Sequence, residues 1–293
     1  MGGIYWLASY PKSGNTWFRS FLYNLQVDRD TPADINHLFT GTIASARGWL
    51  DEILGFDTAE LHPDEVERLR PSVYRWALHD DELGYHKIHD AYTLTVDNEP
   101  IVSTEGTRGA LYILRNPLDV APSAANHWHL SIDETIQRMG YEHQGMTRMP
   151  RGLEDQVRQK MLTWSEHVLS WVDAPALNKH VIRYEDMLAK PLETFTQASH
   201  FLELPTDPER IEKAIRFSDF KVLAEQEADK GFKERPPHTE RFFRQGKSGD
   251  WRDKLSTEQI DKIINDHHVV MRRFGYLDEH DKPVWLAINK QFL

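Results

Sequence analysis

The sequence predicts an α/β protein: a single αβα domain over residues 1–293, with a central parallel sheet and a P-loop-like loop after its first strand. Three observations predict it. Short apolar runs bounded by turn residues recur along the chain and alternate with segments of helical spacing, the pattern of strands joined by helical crossovers. The first run is followed at once by a small Pro/Ser/Gly loop and then a helix. And 293 residues, 40% of them hydrophobic, are enough for one large core, with no internal repeat or low-complexity tract to suggest another architecture.

Residues 3–9, GIYWLAS, read as a buried strand, and 16–27 as the helix that follows the loop. GYHKIH at 84–89 is a shorter strand candidate. ALYILRN at 110–116 has the same character as the first strand, and Pro117 stands where the first turn of a helix tolerates proline. Leu153, Val157, Met161, Trp164, Val168 and Trp171 recur at helical spacing and predict a helix over 153–172. KHVIRYEDM at 179–187 reads as a strand running into a turn. Beyond it the chain reads as mostly helical, over 191–203, 207–217, 218–229 and 256–274. Three stretches fit regular structure poorly: 28–80, 139–152 and the Lys/Pro/Gly-rich 230–250.

Composition excludes several functions. A net charge of −11 argues against a nucleic-acid binder, while leaving room for basic residues gathered in one pocket. The chain has no cysteine, so disulfides, thiolate metal sites and cysteine nucleophiles are ruled out. The start has no basic n-region, and no apolar stretch is long enough to cross a bilayer, so the expected location is the cytoplasm, without membrane attachment. No set of three or four histidines and carboxylates has metal-ligand spacing; His127, His129, His267 and His268 do not form one, and no metal is expected. Oligomeric state is not legible.

The chemistry begins at YPKSGNTW, residues 10–17. A glycine-containing turn between strand and helix aims backbone N–H groups at one point, and the helix N-terminus adds positive potential there, which favours a phosphate-like anion. Lys12 adds a mobile charge; Ser13 and Thr16 add hydroxyls. The loop is no Walker A sequence, because its lysine precedes the glycine. Taken alone, an ordinary βα turn with an exposed lysine remains open.

In its residue order the octapeptide resembles the 5′-phosphosulfate-binding loop of the cytosolic-type sulfotransferases, which use 3′-phosphoadenosine 5′-phosphosulfate (PAPS). Asn15 stands where that family usually has threonine. RNPLDVAPS at 115–123 resembles the family's second motif, in which Arg115 and Ser123 hold the 3′-phosphate. Eight residues apart, with Ser123 on the helix opened by Pro117, the two can face one group. FFRQGKSGDW at 242–251 resembles the third motif through Arg244, Gly246, Gly249, Asp250 and Trp251, with Gln245 in place of the usual lysine and Lys247 two residues later as a substitute charge. Tyr184 in RYEDM, and Ser218 and Phe220 in FSDF, resemble adenine-side contacts, and Trp17 resembles the residue that stacks on the base. The resemblance runs over about 3–275 in the family's order. It implies a cofactor site of Lys12, Ser13, Gly14, Asn15, Thr16, Trp17, Arg115, Ser123, Tyr184, Ser218, Phe220, Arg244, Gln245 and Gly246, with PAPS as co-substrate and PAP as product.

Transfer of a sulfuryl group to a hydroxyl needs a base for the acceptor proton, cations for the leaving phosphate and in-line positioning. His89 in HKIHD matches the family's catalytic histidine, with Ile88 where threonine is usual, and Lys87 matches the accompanying lysine. Strand alternation separates His86 from His89 but lets Lys87 and His89 share a face. By resemblance, Lys12 holds the oxygen bridging sulfur and the 5′-phosphate, and Ser123 steers Lys12 away from premature hydrolysis. The expected acceptor is a small-molecule phenol or alcohol, enclosed by 28–80, 126–152 and 230–243. Those segments carry Trp49, Phe56, Tyr74, Trp76, Trp128, Tyr141 and Phe232, with His127 and His129 as weaker candidates. The 230–243 loop is expected to close over PAPS. A carbohydrate or glycopeptide hydroxyl is the alternative acceptor. A nucleotide phosphotransferase and a non-catalytic nucleotide sensor are the competing functions.

Overall fold

The computed structural model of the chain describes residues 2–38, 40–77, 82–147 and 154–284. They form two compact units. The first comprises 1–10, 40–112 and 141–181; the second comprises 11–39, 113–140 and 182–293. The chain passes from the first to the second after Tyr10, within a strand after Tyr112, and again within a strand after Val181.

The main sheet is built on β1 (Gly3–Ala8), whose six residues are all buried. It pairs in parallel with β2 (Leu83–Ile88), from Gly3 opposite Leu83 to Ala8 opposite Ile88. On its other side it pairs in parallel with β3 (Thr107–Leu114), with a register shift between Ile4 and Tyr5. β6 (Lys179–Arg183) completes the order β2-β1-β3-β6. A central strand with neighbours on both edges and helices over its faces reads as an unbroken apolar run, which is why 3–9 and 110–116 are legible.

In the first unit, α2 (Arg47–Leu54) packs against α3 (Pro63–Trp76), both inside the stretch expected to be irregular. Helix α3 carries Pro71 and a run of charges that mask it. It is set by a capping box between His62 and Glu65 with Pro63 at its first position. The helix expected over 153–172 is α6 (Trp164–Val172) alone, since Thr163 and Glu166 form a capping box that starts it. Upstream, Leu162 has φ +57° and β5 (Gln159–Lys160) pairs antiparallel with β4 (Gly145–Met146). The burial of Val157 and Met161 is therefore not helical, and Leu153 lies outside the described residues.

The second unit is mostly helical. It contains α1 (Asn15–Val27), α4 (Pro117–Trp128), α5 (Ile132–Met139), α7 (Tyr184–Ala189), α8 (Pro191–Phe201), α9 (Pro208–Phe217), α10 (Phe220–Lys230) and α11 (Thr257–Arg273), with a 3₁₀ turn at Asp250–Asp253. Helix α1 packs on α9, and α4 packs on α5 and the 3₁₀ turn. The side chain of Asn116 accepts from Leu118 N at 3.0 Å and so caps α4 directly after β3. Residues 231–249 form neither helix nor strand, as their composition predicts.

Candidate active site

In the second unit the loop at 11–14 turns tightly into α1. Lys12 has φ +69° and Gly14 φ +100°. A Cβ on Gly14 would lie 2.7 Å from Cδ2 of Tyr184, so glycine is required both for the turn and for the approach of that ring. Ser13, Asn15 and Thr16 are buried at the first turn of the helix. The Lys12 ammonium lies 3.6 Å from the ring centroid of Phe242.

Arg115, at the end of β3, ties this loop to the third motif. Its Nη1 donates to the Lys12 carbonyl at 2.9 Å and its Nη2 to the Lys247 carbonyl at 3.3 Å. Its guanidinium stacks 4.2 Å from the Tyr184 ring centroid. Tyr184 opens α7 and is buried, and Trp17 meets it edge-on at 5.5 Å. Burial holds the Tyr184 hydroxyl above its usual range. Ser123 lies half-buried on α4, two turns beyond Arg115.

The third motif is shaped by two glycines with positive φ. Gly246 has φ +60°, and a Cβ there would fall 2.2 Å from Phe220 Cγ, so the ring that opens α10 presses on bare backbone. Arg244 donates to Asp250 Oδ2 at 3.3 Å, while Lys247 Nζ lies 3.2 Å from Asp250 Oδ1. Gln245 is exposed. Ser218 ends α9, and its buried hydroxyl donates to the Ile215 carbonyl at 3.1 Å. The 230–243 segment is fastened here: Phe232 and Phe243 are buried with Ile35 and Leu223, and the amides of Phe242 and Phe243 donate to Glu227 at 2.7 and 2.8 Å.

Two buried carboxylates to which the sequence gives no site role build the frame. Asp119 accepts from Gly249 N at 2.8 Å and from Trp251 N at 3.2 Å, joining α4 to the third motif. Glu185 accepts from Asn116 N and from the Tyr276 hydroxyl, each at 3.0 Å; burial holds its carboxyl above the usual range. Both stand inside quoted motifs, RNPLDVAPS and RYEDM; Asp119 is legible as an acidic residue in the first turn of α4, whereas the partners of Glu185 lie outside its motif.

In the first unit, His89 follows β2. Its Nδ1 lies 2.7 Å from the Ser9 carbonyl oxygen, and Ser9 Oγ is 3.4 Å away. A carbonyl only accepts, so Nδ1 carries the hydrogen. Lys87 and His89 are half-buried and His86 is buried. His86 stacks on Trp49 at 4.5 Å and donates from Nδ1 to the Thr42 carbonyl at 3.2 Å; burial pushes its pKa down to about 4.

Two aromatic candidates for the acceptor belong to the interior instead. Tyr74 is buried, accepting from Arg70 and donating to the Ala44 carbonyl, and Phe232 is in the apolar cluster above. Trp49 is half-buried, and Phe56, Trp76 and Tyr141 are exposed. Arg138 lies over Trp128 at 4.8 Å. The His127 carbonyl accepts from His238 at 3.1 Å, and the His129 ring lies 5.0 Å from that of His238. Among the described residues no group of three or more His, Cys, Asp or Glu is placed to hold a metal ion, and no helix is long and apolar enough to cross a membrane.

Fold and loop together define an α/β protein whose first strand–helix loop is strapped to an arginine at the end of β3. The family model described as a sulfotransferase domain matches residues 4–275, and the chain belongs to that family. Sulfotransferase 2A6 of Rattus norvegicus is 22% identical over 272 residues, covering 89% of this chain and 82% of its own. Flavonol 3-sulfotransferase of Flaveria bidentis is 22% identical over 270 residues, covering 88% and 78%. Among solved structures, mouse sulfotransferase SULT7A1 complexed with PAP superposes with a TM-score of 0.58 at 18% identity, covering 92% of this chain and 85% of that one. Retinol dehydratase in a complex with retinol and PAP gives 0.59 at 17%, covering 92% and 81%. At these identities the structural likeness establishes the fold.

Proposed function

We propose that the protein transfers the sulfuryl group of PAPS to a hydroxyl of a small phenol or alcohol, releasing PAP and a sulfate ester. The carrying observation is Arg115: bonded to the Lys12 carbonyl and to that of Lys247, it links the 5′-side loop to the motif expected at the 3′-phosphate. The residues fit such a ligand. Ser13 Oγ, Trp17 Nε1 and Arg115 Nε are buried polar atoms without a hydrogen-bond partner among the described residues, and each is a donor that an anionic nucleotide satisfies. One family model spanning 4–275 supports reading 1–293 as one sulfotransferase domain.

In this reading Lys12, Ser13, Gly14, Asn15 and Thr16 hold the 5′-phosphosulfate. Arg115, Ser123 and Arg244 hold the 3′-phosphate, with Gln245 contributing an uncharged amide. Trp17, Tyr184, Ser218 and Phe220 line the adenine. PAPS supplies the activated sulfuryl group. His89 Nε2 takes the acceptor proton as the new S–O bond forms, and Lys12 neutralises charge on the phosphate oxygen as the old S–O bond breaks. Lys87 adds positive charge beside His89. Relatives named for flavonol and luciferin support an acceptor whose hydroxyl is carried on a flat ring system. Relatives named cytosolic support a cytoplasmic location.

Calorimetric titration with adenosine 3′,5′-bisphosphate and with ATP, followed by transfer of labelled sulfate from PAPS to a panel of phenols and alcohols, tests the reading. Selective binding of the bisphosphate and label transfer are expected, and Lys12→Ala should lose several orders of magnitude in turnover while still binding the bisphosphate. Equal binding of ATP with no label transfer refutes it.

A further inference from the structure

The end of β2 is clamped by side chains that bind Asp90 and the His89 carbonyl. Trp171 Nε1 donates to the Asp90 carbonyl at 2.9 Å, and Arg70 grips the Asp90 carboxylate at 2.8 and 2.7 Å. The imidazole of His167 lies fully buried on α6, with Nε2 3.0 Å from the His89 carbonyl oxygen and Nδ1 2.9 Å from the Tyr112 hydroxyl. Tyr10 packs edge-on against it at 5.3 Å.

The proton positions follow from the partners. The His89 carbonyl only accepts, so His167 Nε2 carries the hydrogen; Nδ1 is then the acceptor, and Tyr112 donates to it. Burial pushes His167 down to about 4, so the ring is neutral and the chain Tyr112 O–H to His167 Nδ1, His167 Nε2–H to His89 O has one direction. An apolar ring would fill the same volume without burying an imidazole and a phenol hydroxyl that then require exact partners.

We propose that His167 is a positioning residue for the base: it fixes the His89 peptide so that the His89 ring reaches the Ser9 carbonyl and presents Nε2, with Tyr112 holding His167 in the required tautomer. The proposal rests on the reading of His89 as the base. Releasing the His89 carbonyl frees the 89–90 peptide to rotate, and the ring 2.7 Å from Ser9 O loses both aim and tautomer.

The experiment compares wild type, His89→Asn, His167→Phe, His167→Gln and Tyr112→Phe for kcat, acceptor KM, bisphosphate Kd and the ¹⁵N signature of the His89 ring. His167→Phe is expected to lose kcat on the order of 100-fold at unchanged bisphosphate Kd, as a misaimed reacting group does. Its kcat–pH acid limb moves to lower pH, because the acceptor that favours the protonated His89 ring is lost. The His89 spectrum changes from the Nδ1–H form to a mixture. His167→Gln, which keeps an N–H at the position of Nε2, recovers part of the loss. Tyr112→Phe keeps the ring and volume of both residues; should His167→Phe not fold, its loss of kcat with intact bisphosphate binding carries the test. An inactive His89→Asn, together with His167→Phe or Tyr112→Phe showing kcat within about twofold of wild type and an unshifted acid limb, overturns the proposal. An active His89→Asn removes the base assignment instead, and an unchanged His89 tautomer in His167→Phe then overturns the clamp itself.

Discussion

Replacing Asp119 by alanine is expected to unfasten the third motif from α4. The residue is 1% exposed, and its two carboxylate oxygens accept from Gly249 N at 2.8 Å and Trp251 N at 3.2 Å, with Ser248 Oγ at 3.4 Å. A hydrogen bond to a charged group contributes about 1.5–3 kcal/mol, so losing two places the full cost at roughly 3–6 kcal/mol. The favourable placement of a carboxylate in the first turn of α4 adds at most about 1 kcal/mol. Much of 244–248 is half-exposed and without regular structure, so the segment can open locally, and the global loss should sit near the low end, about 3 kcal/mol. Asp119→Asn keeps one acceptor oxygen and should lose about half as much. Urea unfolding reads the global term; hydrogen exchange at the Gly249 and Trp251 amides reads the local one. Because Arg244 rides on this segment, bisphosphate affinity should fall at least about tenfold, equivalent to about 1.4 kcal/mol. A stability within about 0.5 kcal/mol of wild type with unchanged protection of both amides would refute the reasoning.

Arg70→Leu leaves Asp90 as an uncompensated buried charge and should cost about 3–5 kcal/mol in thermal or urea unfolding, whereas Arg70→Leu combined with Asp90→Leu should recover much of it; equal losses contradict a paired role. Gly14→Ala meets both φ +100° and a Tyr184 ring 2.7 Å from the new Cβ, so it should lose about 1–3 kcal/mol and weaken bisphosphate binding; a neutral outcome in melting and titration contradicts the close packing. Burial pushes His86, His167 and His267 from 6.5 down to about 4, so between those values the unfolded chain binds protons that the folded chain refuses. Stability is therefore complete above pH 6.5 and falls as pH drops, by about 2 kcal/mol per histidine at pH 5. A flat urea midpoint between pH 7 and 5 contradicts the burial of these rings.

How legible each part was depended on whether its determinants were local. β1 and β3 are unbroken apolar runs because sheet neighbours and helices cover them, and the first loop carries its glycine and lysine in one octapeptide. Helix α3 was hidden because two of its six buried residues are Glu67 and Arg70, charges that enter the interior only because Lys160, Arg158 and Asp90 meet them from far along the chain. The apolar spacing of Val157 and Met161 misled for the converse reason: they are buried beside a two-residue ladder, and only the Thr163–Glu166 capping box marks where α6 starts. In the site, residue types named the donors. The carbonyls that orient them, those of Lys12, Lys247 and Ser9, have no residue type to read.

Those carbonyls also explain how a chain of net charge −11 keeps an arginine at this loop with its charge uncancelled. A cation paired with a carboxylate must give up that pairing to bind phosphate, and the exchange gains little. Arg115 is held instead by two carbonyl oxygens and the Tyr184 face, which orient the guanidinium without cancelling its charge. The Lys12 ammonium rests on the Phe242 ring, an attraction of about 0.5–2 kcal/mol that a phosphosulfate readily outbids. The buried carboxylates Asp119, Glu185 and Glu227 accept from backbone amides and bind loop to helix. Arg244 and Lys247 share Asp250, so that motif offers one net positive charge where Gln245 offers none. The 3′ side should accordingly depend most on Arg115, whose charge no carboxylate among the described residues offsets by an ion pair, and Arg115→Lys should weaken bisphosphate binding more than Arg244→Lys, since a lysine at 115 cannot donate to both carbonyls and still face the ligand.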